Sequence, residues 1–143
     1  MIVPDANVLI YAYDRTSDLH RAARRWWESV LSGSEPIGIP WVVILAFVRL
    51  VTHPVLCENP MTIAQARQAV EFWFGVDQVQ LLAPGPATFD CFFDLLQQAG
   101  TGGNLSTDAM IAALAIEHGG SVYSTDRDFS RFPKVRWQNP LAD

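Results

Sequence analysis

Short apolar runs alternate along this chain with longer stretches in which apolar residues recur at helical spacing. Short apolar runs bounded by turn residues are typical of buried strands, and apolar residues three and four apart are typical of amphipathic helices. The pattern predicts five strands, at residues 1–4, 37–39, 79–82, 121–124 and 135–137. It predicts six helices, at residues 7–13, 17–31, 40–51, 63–74, 87–99 and 106–118.

Capping residues set the predicted helix boundaries. Ser17 or Asp18 is the predicted N-cap of the second helix, and Thr62 is that of the fourth. Pro40 suits the first turn of the third helix, and Ser106 or Thr107 opens the sixth. Glycines follow four of the predicted helix ends, at Gly33, Gly75, Gly100 and Gly119.

The order of these elements predicts the fold class. Strands that alternate with helices are typical of an α/β fold with a mostly parallel sheet, here of four to five strands between helical layers. A chain of 143 residues without repeats or an obvious linker is expected to form a single domain, 1–143.

The composition and the opening residues indicate the cellular compartment of the protein. Half of the residues are hydrophobic, yet no apolar stretch approaches the ~20 residues that a membrane helix needs. The opening residues lack the basic region, long apolar stretch and cleavage site of a signal peptide. The two cysteines, Cys57 and Cys91, lie far apart in the sequence. We therefore expect a cytoplasmic protein with reduced thiols and no membrane contact.

The net charge of −5 argues against a broad nucleic-acid-binding surface, but the basic residues are not spread evenly. They form an early and a late cluster: Arg15, Arg21, Arg24 and Arg25, then Arg127, Arg131, Lys134 and Arg136. Local basic patches on an acidic protein fit an enzyme that grips phosphates around an acidic metal centre. The simpler interpretation is that they are solvated helix faces.

Three aspartates stand where parallel strands bring functional groups together. Asp5 follows the first strand, Asp126 follows the fourth, and Asp108 opens the helix between the third and fourth strands. Each has an ordinary interpretation, because Asp caps helices, favours a helix N-terminus and makes local turns. Ligands of parallel sheets bind outside the carboxyl ends of the strands, so we expect the three carboxylates to converge there.

Clustered carboxylates repel one another and stay ionised when they share a cation. Their hard oxygen ligands favour Mg²⁺, with Mn²⁺ as the alternative, and such a centre can promote phosphodiester hydrolysis. A haloacid-dehalogenase-like phosphatase also starts with an Asp after its first strand. It needs an acid two residues later, where this chain has Asn7, which cannot deliver a proton. A phosphate-receiver domain needs an Asp after a central strand, and the predicted strand 79–82 has none after it.

Several stretches together resemble a PIN domain, and more narrowly a VapC-type toxin of a bacterial VapBC toxin–antitoxin operon. These stretches are IVPDANVLIYAYD, HRAARRWWE, PWVVILAFVRLVTHP and STDAMIAALAIEHGGSVYSTDRDFSRFP, and the resemblance extends from one end of the chain nearly to the other. The opening D-x-N segment is weakly specific, whereas the later two-aspartate block is strongly specific. The PW…LAFVRL stretch resembles a subgroup common in mycobacteria and related actinobacteria.

The resemblance implies a Mg²⁺-dependent endoribonuclease that cuts structured RNA, often transfer RNA, and is silenced by a VapB-type antitoxin. It also implies a homodimer. Asp5, Asp108 and Asp126 match the catalytic, metal-binding carboxylates of the family. Asn7, Thr107 and Asp128 match or adjoin supporting positions. From metal-assisted attack by water, we expect products with 5′-phosphate and 3′-hydroxyl ends.

One position departs from the family pattern. Most PIN domains carry a Glu on the helix after the second strand, and here the alignment places Ala46 there. No acidic residue occurs between Pro40 and His53, so the number of metal ions stays open. The alternative function is a catalytically inactive PIN fold that binds protein or RNA.

Overall fold

Five short strands and six helices make up the computed structural model, which describes residues 1–142. The strands are β1 (Ile2–Pro4), β2 (Ile37–Pro40), β3 (Val79–Leu82), β4 (Ser121–Tyr123) and β5 (Trp137–Gln138). The helices are α1 (Ala6–Tyr13), α2 (His20–Ser32), α3 (Trp41–Val51), α4 (Ile63–Phe74), α5 (Pro86–Ala99) and α6 (Leu105–Glu117). A 3₁₀ helix, Arg127–Arg131, joins β4 to β5.

The strands form one sheet in the order β3-β2-β1-β4-β5, and every neighbouring pair is parallel. This confirms the predicted α/β fold with a parallel sheet flanked by helices. The chain moves outward from β1 through β2 to β3, and then returns to the other side of β1 for β4. The strand order therefore reverses between β1 and β4, and such a reversal opens a crevice at the carboxyl ends of the two strands.

The register between β1 and β4 brings distant residues level with each other. Ile2 pairs with Ser121 and Pro4 with Tyr123, so the next residues, Asp5 and Ser124, leave the sheet side by side. The backbone N–H of Asp5 donates to the carbonyl of Tyr123 at 3.0 Å. The topology thus places an aspartate from the start of the chain beside the segment that carries Asp126.

Tight packing holds β1 at the centre of this sheet. Ile2 and Val3 of β1 are buried, and so are Ile37 and Ile39 of β2. A Cβ atom on Gly38 would lie 2.7 Å from both Leu82 Cδ1 and Met1 Sδ, so a larger residue there requires these side chains to shift. The apolar α6 adds seven buried residues to this core, which is why its polar first turn stands out.

Most predicted elements are confirmed, and the fourth helix and third strand have the predicted bounds. Thr62 caps α4 in a capping box with Gln65. The prediction for the start of α2 was wrong, because Ser17 accepts from the backbone N–H of Leu19 and α2 begins at His20 without a side-chain cap. Likewise, α6 begins at Leu105, before Ser106 and Thr107. Pro40 ends β2 and precedes α3, because its extended backbone conformation continues the strand.

No helix in the described part of the chain combines the length and apolarity that crossing a bilayer requires. Cys57 and Cys91 are both free thiols, as expected.

Candidate metal centre

Three carboxylates meet at the edge of the sheet where the strand order reverses. Asp108, Asp126 and Asp128 each offer one oxygen atom, and these atoms all lie within 4.8 Å of one another. Asp108 comes from the first turn of α6, while Asp126 and Asp128 come from the start of the 3₁₀ helix after β4. Two of the three predicted ligands, Asp108 and Asp126, are therefore close together, and Asp128 belongs to the same group.

Asp5 lies beside this group rather than within it. Its side chain is 8% exposed and accepts two hydrogen bonds, from the Ser124 hydroxyl at 2.6 Å and from the Ala6 N–H at 2.7 Å. Burial raises the pKa of Asp5, the two hydrogen bonds oppose that rise, and the charge of Asp126 adds to it. Asp5 thus caps α1 and is also electrostatically coupled to the carboxylate group.

The pKa of Asp108 reflects the negative charges of the nearby carboxylates. Burial, together with the negative charges of Asp5, Asp126 and Asp128, raises its pKa to about 7. No basic residue is among the four main influences on this pKa. A carboxyl group of this kind ionises fully at neutral pH when a cation arrives, so the residues present fit a divalent metal site.

Ser124 organises the site, and sequence reasoning missed this role. It is fully buried, and its hydroxyl donates to Asp5 while it accepts from the Asp126 N–H at 3.0 Å and from Asn7 Nδ2 at 3.1 Å. One donor and two acceptor positions complete the hydrogen-bonding capacity of a hydroxyl. Ser124 therefore connects the segment after β1 to the segment after β4.

The predicted supporting residues differ in what they contact. Asn7 reaches the site through Ser124, as its predicted role requires. Asp128 donates its backbone N–H to Asp126 Oδ1 at 2.9 Å, which orients the Asp126 carboxylate. Thr107 is exposed and makes no side-chain hydrogen bond within residues 1–142. Ala46 is partly buried on α3 and offers no ligand atom.

The aromatic residues near the site divide between core and surface. Trp27 is 3% exposed, whereas Trp26 is partly buried and stacks on Tyr123, with ring centroids 5.7 Å apart. Phe47 and Trp73 are buried in the core. Trp41 and Phe72 are exposed on α3 and α4.

Comparisons with known proteins agree with this fold. A family model described as PIN domain matches residues 2–135. The chain is 42% identical to Ribonuclease VapC37 of Mycobacterium tuberculosis over 142 residues, which are 99% of each chain. It is 35% identical to Ribonuclease VapC33 of the same species over 143 residues, the full length of both.

Solved structures resemble the chain at lower identity. One is described as Mycobacterium tuberculosis VapC20, a sarcin-ricin loop cleaving toxin, with a TM-score of 0.69, 18% identity and coverage of 95% and 99% of the two chains. Another is VapBC-1 of nontypeable Haemophilus influenzae, with a TM-score of 0.69, 19% identity and coverage of 99% and 100%. At these identities the likeness establishes the fold.

Proposed function

The chain belongs to the PIN-domain family, among its VapC ribonucleases, and from this premise we propose that it is the RNA-cleaving toxin of a type II toxin–antitoxin pair. The observation that carries the proposal is the group of clustered carboxylates, Asp108, Asp126 and Asp128, beside the buried Asp5. The sheet topology delivers these groups to one edge from three separate parts of the chain. Their arrangement suits hydrolysis of a phosphodiester bond.

The proposed cofactor is Mg²⁺, with Mn²⁺ as the alternative, and the proposed metal-binding catalytic residues are Asp5, Asp108 and Asp126. Hard oxygen ligands favour these ions. Asp128 is the alternate candidate for binding the same cation, and Asn7 and Thr107 are the proposed supporting residues. The raised pKa of Asp108 supports the proposal, because this group can release its proton to water when a cation binds.

The protein's own contribution to catalysis is orientation and charge. Ser124 and the Ala6 N–H fix the Asp5 carboxylate, and the Asp128 N–H fixes that of Asp126. A divalent cation, when bound, neutralises charge on the phosphate and lowers the pKa of the attacking water.

Within residues 1–142, none of the three histidines forms a hydrogen bond with the acidic group that would mark it as a general base. Nδ1 of His20 lies 2.9 Å from the Tyr11 carbonyl, and Nδ1 of His118 lies 2.9 Å from that of Leu114. His53 Nδ1 accepts from backbone N–H groups in its own loop. Direct attack by water therefore fits this chain better than attack by the 2′-hydroxyl of the RNA.

The proposed protein partner is a VapB-type antitoxin, and a groove offers a place for it. Two adjoining cavities, of about 490 and 340 Å³, share Tyr13, Arg15 and Met61 as lining residues. The larger is lined by Trp27 and the exposed Phe72 as well. An amphipathic antitoxin segment would cover this apolar surface with its apolar side.

We also propose a homodimer, a substrate that is structured RNA such as transfer RNA, and a cytoplasmic site of action. Exposed aromatic and aliphatic residues on α3 and α5 supply apolar surface for a second copy: Trp41, Leu45, Phe89 and Phe93. The cytoplasmic assignment follows from the substrate, because transfer RNA is found there.

The decisive experiment is RNA cleavage by the purified protein. We expect cleavage of total RNA with Mg²⁺, loss of cleavage on chelation, and recovery when Mg²⁺ is restored. Ala46, in place of the usual Glu, is the feature that favours the alternative, an inactive PIN fold that binds protein or RNA. Binding of RNA without cleavage under any divalent cation would establish that alternative.

A further inference from the structure

The first two turns of α2 carry positive charges that do not stabilise the helix. Arg21 and Arg25 lie four residues apart and are both exposed. Like charges at this spacing destabilise a helix, and cations near its N-terminus oppose the helix dipole. The first turn contains no acidic residue to offset them.

These arginines also lack partners within the protein. Among residues 1–142, neither Arg21 nor Arg25 forms an ion pair or a side-chain hydrogen bond, whereas Arg24 pairs with Glu28 at 2.8 Å and Arg67 with Glu71 at 2.7 Å. The two arginines line a shallow cleft of about 340 Å³ with His20 and the Arg24–Glu28 ion pair. Arg15 extends the basic surface, because it lines the adjoining cleft with His20 and Arg21. We call Arg15, Arg21 and Arg25 the α2 basic strip.

A direct path of contacts connects this strip to the metal centre. Trp26, next to Arg25, stacks on Tyr123 with the ring planes 25° apart. The carbonyl of Tyr123 accepts from the Asp5 N–H, and the following residue, Ser124, binds the Asp5 carboxylate. One aromatic contact thus separates α2 from the acidic edge of the sheet.

A second contact places the strip at the same edge. Arg25 and Trp26 line a cleft of about 370 Å³ together with Pro140 and Leu141, which follow the carboxyl end of β5. The carboxyl ends of parallel strands lie on one edge, where the acidic centre also lies. The basic strip and the acidic centre therefore border the same surface.

We propose that the α2 basic strip is the phosphate-binding track that positions the RNA strand for cleavage, an inference that rests on the proposed ribonuclease function. Arg21 and Arg25 are about 6 Å apart along the helix axis and can hold neighbouring phosphates of one strand. The stacked Trp26 and Tyr123 fix α2 relative to the acidic centre. The negatively charged protein attracts RNA where this local cluster outweighs the overall repulsion.

The other side of α2 serves a different surface. Trp27 and Leu31 line the larger cavity of the groove proposed for the antitoxin, with the paired Arg24 and Glu28 at its rim. Arg21 and Arg25 do not line that cavity. Arg15 lines both the groove and the basic strip, whereas Arg21 and Arg25 line neither groove cavity. Substitution of Arg21 and Arg25 therefore tests RNA binding without changing a residue that lines the groove.

The test is the double variant Arg21→Gln/Arg25→Gln, compared with Arg49→Gln/Arg67→Gln, which removes the same charge from α3 and α4. Binding of fluorescently labelled, unfractionated transfer RNA is measured by anisotropy in the presence of a chelator, so it does not depend on cleavage. We expect the dissociation constant of the α2 variant to rise about tenfold or more, and the slope of log affinity against log salt to fall by about 1 to 2. The control variant should change less than about twofold relative to the parent protein.

Cleavage kinetics with Mg²⁺ supply the second measurement. We expect KM to rise in the α2 variant while kcat stays within about twofold, because positioning phosphates is uniform binding. Equal affinities and salt slopes in the two double variants would overturn the proposal, and so would a variant that resists the antitoxin while binding RNA normally. The proposed function fails separately, if the parent protein binds transfer RNA but never cleaves RNA.

Discussion

The hydroxyl of Ser124 donates a 2.6 Å hydrogen bond to the carboxylate of Asp5, which is 119 residues earlier in the chain. This single contact joins the ends of β1 and β4 at the acidic centre. Ser124→Ala removes it and also leaves the partly buried Asp126 N–H without its acceptor. We expect a loss of about 1–3 kcal/mol in the free energy of unfolding, and about 10- to 100-fold lower cleavage activity.

The matched control for this change is Ser124→Thr, which keeps the hydroxyl and adds one methyl group. Activity in the Thr variant should lie closer to the parent than activity in the Ala variant. Thermal melts and initial cleavage rates measure the two effects. If the Ala variant were as active as the parent, the orienting role of Ser124 would be wrong.

Asp5→Asn distinguishes a metal ligand from a structural cap. Without metal, removal of a charge relieves repulsion on the order of 1 kcal/mol for each close carboxylate pair. We therefore expect the metal-free variant to melt at or slightly above the metal-free parent, although the amide replaces one of two acceptor oxygens. Mg²⁺ should raise the melting temperature of the parent more, because ligand binding stabilises the native state by mass action.

Cleavage by the Asp5→Asn protein should be abolished. A purely structural cap predicts the reverse pattern, with about 1 kcal/mol lower stability and activity retained in the folded molecules. Melts with and without Mg²⁺, run alongside an RNA cleavage assay, separate the two roles. A destabilised but active variant would refute the ligand role.

The raised pKa of Asp108 gives metal-free stability a definite pH dependence. Its pKa is about 7 in the folded protein and near 3.8 when unfolded, so the native state binds more protons between these values. Stability from this group is complete below pH 3.8 and is lost as pH rises through 7. In chelator, Asp108→Asn should gain more stability over the parent at pH 8 than at pH 5, because the loss in the parent accumulates from pH 3.8 up to about pH 7.

Melting curves of both proteins at these two pH values test the prediction. Saturating Mg²⁺ should reduce or reverse the advantage of the variant at pH 8, because the ionised Asp108 then has a cation to hold. The same advantage at both pH values would show that Asp108 ionises normally in the folded protein.

The chemistry of the products reports which nucleophile attacks. Attack by water, with no histidine placed as a base, leaves 5′-phosphate and 3′-hydroxyl ends. Cleaved RNA should therefore be a substrate for a 5′-phosphate-dependent exonuclease without prior treatment. A 2′,3′-cyclic phosphate would mean that the 2′-hydroxyl of the RNA attacks, and the mechanism proposed here would be wrong.

The acidic centre should also determine how the antitoxin inhibits. Several carboxylates lie close together at this edge, and an arginine can bind two carboxylate oxygens at once. We expect the antitoxin to place an arginine among these carboxylates. A structure of the complex tests this expectation, and an inhibitory segment that leaves the acidic edge open would contradict it.

The sequence predicts the parts of the site that depend on topology. Alternating strands and helices predict a parallel sheet, and that sheet brings Asp5 and Asp126 to one edge. The Asx-type hydrogen bond of Asp126 and the capping contact of Asp5 were the ordinary interpretations, and both are present beside the carboxylate group. A local hydrogen bond and a functional role therefore coexist in the same side chain.

The sequence does not predict what depends on side-chain geometry. Nothing in the sequence SVYS marks Ser124 as the residue that contacts Asp5, because the contact depends on a register set by the whole fold. Asp128 was predicted as an accessory residue, and it joins the carboxylate group because the 3₁₀ helix turns it toward Asp126. The predicted start of α2 was wrong because the Ser17 hydroxyl accepts from the Leu19 N–H in a turn and does not cap the helix.

Asp5, at the end of the central strand β1, meets its partners in the acidic centre only late in synthesis. Asp5 leaves the ribosome early, but its partners Ser124, Asp126 and Asp128 are translated near the end. Contacts between such distant residues form late, since the chain must first close a long loop. The nascent protein therefore has no complete acidic centre until almost all of it has been made, and we expect a shortened translation product that ends before β4 to leave RNA uncut.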